Sequence, residues 1–284
     1  TEMAPPLFAD LGKSAKDVFG KGYHFGFFKV EGKLKPDSGP EFTANATQTL
    51  ETGKVGAFLE SKLKSKEHGL TFTEKWNTEN NLFIELAVED KIKQGLKLCA
   101  SGNFSPLSRK FTPLLKAHYK HDRITANGDC SFDGSGPLIQ GAVVGAYNGW
   151  LLGYQGAFNA TQTKLTKSNI ALGYDGKDFV VHTHVNDGQE FGGSLYVRKL
   201  DNIETGVQLG FCSGTNSPKF AMGCRYKLDN DSSIRAKVNN FAQVGLGFQH
   251  KLRPGITLTL SMLFEGKNLN QGGHKVGLAL DLEA

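Results

Sequence analysis

The stretch GLTFTEKWN, residues 69–77, decides the fold class of this 284-residue chain. Leu70, Phe72 and Trp76 share one side of an alternating pattern, and threonine, lysine and asparagine residues take the positions between them. Because successive side chains of a strand point to opposite faces, the pattern predicts a β-strand with one apolar face. Glu74 belongs to that apolar face, where a packed protein core would make its carboxylate costly.

The same alternation recurs along the chain with short turn clusters between the runs. No helical pattern intervenes, so neighbouring strands are expected to pair as antiparallel hairpins. Each run is about 8–11 residues, the length that a tilted strand needs to cross a bilayer. Nineteen runs begin near residues 25, 40, 54, 69, 81, 95, 111, 123, 138, 150, 166, 178, 190, 203, 219, 232, 243, 255 and 274.

The first 24 residues have a different pattern, which predicts one short amphipathic helix. Leu11, Ala15 and Val18 recur at helical spacing, with lysines and aspartates elsewhere on the helix surface. Gly20, Gly22 and Gly26 follow the helix and predict a hinge. The expected organisation is therefore a helix with its hinge over residues 1–24 and a barrel over residues 25–284.

Composition and charge narrow the possible architectures. The chain has 33 basic and 28 acidic residues, a net charge of +5, and four dispersed cysteines. It lacks the uninterrupted apolar segments of a helical membrane protein, the spacing of a disulfide framework and a visible secretory signal. The mild positive charge does not by itself predict nucleic acid as a main partner.

Two architectures fit the repeated strands: a soluble β-barrel or sandwich, and a transmembrane barrel filled with water. Side chains cannot fill the interior of so large a soluble barrel, and the polar faces are dense in charge. Both facts favour the transmembrane barrel, which leaves no unpaired strand edge in lipid. Closure with an odd number of strands requires that the first and last strands run parallel. Pro113 lies in the seventh run, so that strand is expected to start after the proline or to bulge there.

Motifs in order along nearly the whole chain resemble the voltage-dependent anion channel family of the mitochondrial outer membrane. They include ADLGKSAKDVF (9–19), GWLLGYQ (149–155), VNDGQEFGGS (185–194) and GGHKVGLAL (272–280). Residues 226–248 resemble the eukaryotic porin signature, with Asn230 as a departure, and His24 stands where the family's hinge has glycine.

The resemblance implies a voltage-gated, weakly anion-selective channel that passes ATP, ADP, phosphate and other small metabolites, with the N-terminal helix inside the pore. It also implies contacts with membrane lipid, hexokinase and cell-death regulators, and a homo-oligomer. A protein-import pore of the same type should have an acidic lumen, which the basic faces disfavour. A soluble β-barrel or sandwich that binds a ligand is the alternative from another class.

Lysines carry the predicted contacts with anions, because an ammonium can meet a phosphate as a point charge. A basic wall lowers the barrier for anions in a wide pore. The resemblance implicates Lys13 and Lys21 in nucleotide binding. The candidate nucleotide and anion site comprises Lys13, Lys16, Lys21, Lys97, Lys116 and Lys237. The other inward-facing candidates are Lys29, Lys33, Lys35, Lys54, Lys62, Lys64, Lys120, Arg123, Lys219, Arg225, Arg235 and Lys275.

The resemblance also implies a weak contact region for NADH and a regulatory site on the outer face. The dinucleotide region comprises Gln243, Val244, Gly245, Ser261, Met262, Leu263, Phe264 and Glu265. Glu74 matches the family's lipid-facing glutamate, which is linked to gating mobility and partner docking. No catalytic residue set can be assembled, and His182 with His184 lacks further zinc ligands, so neither enzyme activity nor a metal or cofactor site is predicted.

Overall fold

The computed structural model describes residues 4–37, 39–65, 67–133, 136–214, 217–267 and 272–284. In these ranges the chain begins with a 3₁₀ turn (Phe8–Asp10) and helix α1 (Lys13–Gly20), and nineteen strands follow. The strands are β1 (Phe27–Leu34), β2 (Glu41–Thr49), β3 (Val55–Ser65), β4 (Leu70–Asn77), β5 (Leu82–Glu89), β6 (Leu96–Ser105), β7 (Lys110–Lys120), β8 (Ile124–Asp133), β9 (Gly136–Tyr147), β10 (Trp150–Asn159), β11 (Lys164–Asp175), β12 (Phe179–Asn186), β13 (Glu190–Leu200), β14 (Ile203–Cys212), β15 (Lys219–Lys227), β16 (Ser232–Asn239), β17 (Gln243–Arg253), β18 (Ile256–Glu265) and β19 (Lys275–Glu283).

The strands form one closed sheet. Each strand pairs antiparallel with the next along the chain, and β1 closes the ring by pairing parallel with β19. The parallel register runs from Phe28 opposite Leu278 to Lys33 opposite Glu283. This confirms the predicted barrel and its parallel first and last pair. Closure gives every strand two neighbours, so no long edge is left to pair with another chain.

The two faces of the barrel have opposite chemistry. On β4, Phe72 and Trp76 are 40% and 53% exposed on the outer face, and Thr73 and Lys75 point to the inner face. Large apolar side chains are exposed on the outer face all around the sheet. A protein that presents such a surface needs an apolar solvent around it. No helix within the described ranges is long and apolar enough to cross a membrane.

The nineteen described strands start within two residues of their predicted positions, but the expectation for Pro113 is wrong. β7 begins at Lys110 and runs through Pro113 without a bulge in its pairing with β6. Pairing with β8 begins only at Leu114, so the missing N–H of the proline breaks no ladder on that side. The predicted N-terminal helix is present, and Gly12, with a left-handed φ of 68°, separates its 3₁₀ turn from α1.

The helical segment lies inside the barrel and forms its only cluster of buried apolar residues within the described chain. Leu11 packs with Val144 of β9 and Ala171 of β11, and Phe8 and Leu151 pack against this cluster. Leu11 and Val144 are 2% and 1% exposed. α1 packs on β13, β14 and β15 further along the same wall. The inner wall is therefore apolar beneath the helix and mostly polar elsewhere.

Candidate functional site

Glycines on the inner wall form the bed on which the helix lies. A side chain at Gly206 of β14 or Gly223 of β15 would meet Val18 and Phe19 of the helix, and one at Gly153 of β10 would meet Leu11. Because glycine has no Cβ, the helix can approach the sheet closely at these points. The glycine-rich strands thus position the helix along one side of the lumen.

Two cations of β16 hold the C-terminal end of the helix. Lys237 Nζ donates a hydrogen bond to the carbonyl of Phe19 at 2.7 Å, and Arg235 Nη1 donates to the carbonyl of Lys21 at 2.9 Å. The last carbonyls of a helix have no partners inside it and carry partial negative charge. Lys237 Nζ also lies 4.2 Å from the ring centre of Tyr23 and 5.0 Å from that of Phe25. We call the hydrogen bonds of Lys237 and Arg235 to these two carbonyls the C-terminal latch.

The hinge after the helix is anchored to the last strands of the barrel. His24 N donates to Ser261 Oγ at 3.0 Å, and Ser261 Oγ donates to the carbonyl of Gly277 at 3.3 Å. Gly22 and Gly26 have φ values of 75° and 77°, which favour glycine. Gly20, the third predicted hinge glycine, ends the helix without a positive φ.

Burial sets the ionisation of the two side chains at the hinge. Burial lowers the pKa of His24, and the neighbouring charge of Lys29 lowers it further, so the imidazole is neutral at pH 7. Burial raises the pKa of Tyr23 to about 12. The histidine therefore anchors the hinge through its backbone without adding charge to the lumen.

The helix lysines are exposed, and two of them are paired within the helical segment. Lys13 Nζ lies 3.0 Å from Asp10, and Lys21 Nζ lies 2.6 Å from Asp17. The pairing with Asp10 raises the pKa of Lys13, which remains charged. Lys16 is exposed as well. Exposed ion pairs contribute little because solvent and salt screen them, so an incoming phosphate can displace either aspartate at small cost.

Lys97 and Lys116 lie on another part of the inner wall. They line a cavity of about 820 Å³ together with Cys99 and His118. Lys116 Nζ lies 3.2 Å from Glu85, and Lys97 Nζ lies 3.8 Å from Glu89. The six candidate lysines thus form no single site: three are on the helix, two are here and Lys237 belongs to the latch.

Ion pairs neutralise much of the basic inner wall. Strand alternation places most of the other basic candidates on the inner face, whereas Lys35, Lys54 and Arg123 adjoin strand ends. Acidic side chains meet them within 4 Å: Glu31 pairs with Lys29 and Lys33, Glu41 with Lys64, Glu51 with Lys275, Glu79 with Lys54, and Glu204 with Arg225. The field in the lumen is therefore weaker than the count of lysines indicates.

The predicted dinucleotide region is divided between the two faces of the barrel. Val244, Met262 and Phe264 are exposed on the outer face, where a ligand in the lumen does not reach them. Gly245 lies beneath Phe25, and Ser261 is buried beneath the hinge.

Three further residues of that region lie on the inner face and are not beneath the hinge. Gln243 Nε2 donates to Glu265 Oε1 at 2.6 Å, and Leu263 stands opposite Lys275 in the register of β18 with β19. The prediction of a dinucleotide contact therefore depends on Gln243, Leu263 and Glu265.

Glu74 lies on the outer face, as the alternation predicts. It stands opposite Ser61 of β3 and Ile84 of β5, and it is exposed between Phe72 and Trp76. The Glu74 carboxylate is therefore in the same outer-face environment as the rings of Phe72 and Trp76.

The functions of Arg235, Tyr23 and Phe25 in holding the helix were not predicted from the sequence. Each of these contacts joins residues that are more than 200 positions apart in the sequence, and the contact of Arg235 is with a backbone carbonyl. One signal was present: Gly245 and Gly247 share the inner face of β17, and the hinge lies against both. Paired inward glycines mark a place where another segment approaches the sheet.

Comparisons with known protein sequences agree with this geometry. The family model for eukaryotic porin matches residues 4–277. The voltage-dependent anion-selective channel of Drosophila melanogaster is 55% identical, covering 99% of this chain and 100% of the relative. The non-selective voltage-gated ion channel VDAC2 of Homo sapiens is 50% identical, covering 99% of this chain and 95% of the relative. A triple mutant of the Rhodopseudomonas blastica porin aligns with a TM-score of 0.49 at 11% identity, covering 91% of this chain and 95% of that one.

The fold and the docked helix define a membrane β-barrel channel. The chain belongs to the eukaryotic porin family. Its apolar outer face, which includes Glu74, accordingly faces the membrane, and its charged inner face lines the lumen. This family is one of channels and not of enzymes.

Proposed function

We propose that this protein is a voltage-gated, weakly anion-selective channel of the mitochondrial outer membrane that passes ATP, ADP, phosphate and other small metabolites. The relative from Drosophila melanogaster, an anion-selective channel by name, supports the proposal. The observation that carries it is the inner wall, where an excess of cations faces an open lumen narrowed by one docked helix. Such a wall favours anions and leaves room for hydrated metabolites.

Gating in this proposal is a change in where the helix and the wall charges sit. Voltage acts on charge that moves through the membrane, and the exposed helix lysines are such charges. The helix is held by a few polar contacts at its C-terminal end and by small apolar contacts along one face. A docked state of this kind can be shifted by modest energies.

The flux of nucleotides tests the proposal. Purified protein in liposomes loaded with ATP should release ATP while retaining a large dextran. Liposomes that lose neither solute, or lose both equally, contradict the proposed function.

Charge reversal on the helix is expected to separate nucleotides from small ions. The double variant Lys13→Glu, Lys21→Glu should reduce ATP flux several-fold and chloride conductance by less, because a polyvalent phosphate feels a reversed charge more strongly. The matched control is Lys110→Glu with Lys219→Glu, which reverses the same charge at the ends of two strands. Equal losses of ATP and chloride flux in the helix variant would argue against a specific role for these lysines.

Glu74 is proposed as a regulatory site in the lipid, where hexokinase or a cell-death regulator would dock. Glu74→Gln should keep open-state conductance, reduce the mobility of the wall and abolish labelling by a hydrophobic carbodiimide, because that reagent reaches carboxylates from lipid. Glu60→Gln, which changes an inward carboxylate on the neighbouring strand, is the control and should retain labelling. Labelling that persists in Glu74→Gln would remove Glu74 from the site.

The dinucleotide contact is proposed for the inner-face part of its region, at Gln243, Leu263 and Glu265. A homo-oligomer is proposed through the apolar outer face.

A further inference from the structure

A smaller pocket lies on the wall opposite the docked helix. It has a volume of about 390 Å³ and spans β3 to β6. β4 and β14 are nine strands apart by the shorter path around the ring of nineteen strands, so the pocket and the helix face each other across the lumen. Its lining residues are Glu60, Lys75, Asn77, Asn81, Phe83 and Asn103.

Two aromatic side chains on this wall point into the lumen. Phe58 and Glu60 share the inner face of β3, and Phe83 and Glu85 share the inner face of β5. Under the helix, the inward side chains of Val144 and Leu151 are apolar, and the helical segment covers them. Phe58 and Phe83 lie instead on strands far from that segment in the ring. Large rings facing water are disfavoured unless something covers them.

The charges of the pocket are also unusual for this wall. Lys75 stands opposite Glu60 in the register of β3 and β4, yet its ammonium lies over the Phe58 ring at 3.6 Å from the ring centre. Within the described residues, neither Lys75 nor Glu60 forms a salt bridge, whereas most inner lysines nearby do. In the described part of the chain, the pocket therefore presents a carboxylate and an ammonium that form no ion pair, and the ammonium contacts only an aromatic ring.

The register brings complementary groups around the second ring. Phe83 stands opposite Lys75 on one side and opposite Asn103 on the other. A flat ring, an amide, a carboxylate and an ammonium thus meet within one pocket. A purine nucleotide offers the matching groups: a flat base that stacks on an aromatic ring, an exocyclic amino group that donates to a carboxylate, and phosphates for an ammonium.

We propose that this pocket is a weak docking site for the base of a purine nucleoside phosphate on its way through the pore. The base stacks on Phe83, Glu60 accepts a hydrogen bond from the exocyclic amino group, and Lys75 leaves the Phe58 ring to meet the phosphates. The inference rests on the proposed function, because the nucleotide must enter the lumen. Weak binding is required, since tight binding would block transit.

Binding of ATP to the full chain in lipid nanodiscs tests this. Saturation-transfer NMR on the purine protons gives the dissociation constant, with tripolyphosphate and adenosine as probes that lack the base or the phosphates. Phe83→Leu should raise the dissociation constant for ATP and for adenosine by about fivefold or more, as loss of one stacking contact predicts. Lys75→Met should weaken the binding of ATP and leave the binding of adenosine unchanged.

The matched control is Phe72→Leu, which removes a ring from the lipid face of the adjacent strand and should bind ATP as the unchanged protein does. Wild-type affinity in Phe83→Leu overturns the proposal. The proposal is also overturned if tripolyphosphate competes for the site as strongly as ATP does, because the site would then recognise the phosphates alone. Potassium chloride conductance and ATP release by the same variants distinguish the two failures: a channel that passes ATP but fails the binding test refutes only this pocket.

Discussion

Replacing Lys237 by methionine is expected to free the C-terminal end of the helix from the wall. The variant loses the charged hydrogen bond to Phe19 and the contacts with the Tyr23 and Phe25 rings. A hydrogen bond to a charged group contributes about 1.5–3 kcal/mol, and a cation over an aromatic ring about 0.5–2 kcal/mol. The ratio of docked to undocked helix should therefore fall by about tenfold or more.

Distances between spin labels would measure this release. With the native cysteines replaced, labels at Ser14 on the helix and at Asn186, at the end of β12, should give one narrow distance in the unchanged protein and a broad distribution in Lys237→Met. The variant should also leave its full-conductance state at lower voltage. Lys62→Met is the control, because it removes an inward lysine from β3 and should leave the distances narrow. Identical distributions in both variants would contradict a latch at Lys237.

Adding a methyl group at Gly277 is expected to displace the hinge. A Cβ at this position would collide with the carbonyl oxygen of His24 and would lie 2.9 Å from Ser261 Oγ. Extra atoms in a closely packed place cost about 1–3 kcal/mol. The backbone of β19 can accept alanine, so the hinge and not the strand should move.

Hydrogen exchange at the His24 amide reads out this displacement. In the unchanged protein that N–H donates to Ser261 Oγ, and Gly277→Ala should speed its exchange by about tenfold as the bond is lost. Gly210→Ala is the control, because its Cβ would make only an ordinary contact with Lys219 at 3.7 Å. Unchanged exchange at His24 in Gly277→Ala would show that the hinge is not held against β19.

Alternation and turn residues predicted the barrel nearly completely, since each is a local property of the chain. A strand of a two-faced sheet must alternate, so the run around Phe72 and Trp76 fixes both its structure and its orientation. Pro113 was placed wrongly because its cost depends on whether a neighbouring strand needs its N–H, and that follows from the register. The break at Gly12 was missed because a left-handed glycine leaves the apolar spacing on both sides intact.

The candidate site was predictable residue by residue but not as an arrangement. Alternation places Lys97, Lys116 and Lys237 on the inner face, but it cannot show that Glu85 meets Lys116 or that Lys237 reaches Phe19. Those contacts depend on strand register and on where the helix docks. Val244, Met262 and Phe264 entered the predicted dinucleotide site through the family resemblance alone, although strand alternation places them on the outer face.

Ion pairing on the inner wall explains why the proposed selectivity is weak. Glu31 holds two lysines and other acids hold one each, so the lumen has a modest excess of positive charge. That excess agrees with a net charge of +5 for the chain. The salt solution in a wide pore also screens the field of each charge over a distance of about 10 Å at 0.1 M salt. Selectivity should therefore be strongest at low ionic strength.

The reversal potential in a planar bilayer tests the central claim most directly. Purified protein is inserted between two potassium chloride solutions of different concentration, and the voltage at zero current is measured in the open state. A weakly anion-selective pore predicts a reversal potential with the sign of the chloride equilibrium potential and a smaller magnitude, which grows as total salt is lowered. A reversal potential of the opposite sign, or a bilayer without conductance, would contradict the account.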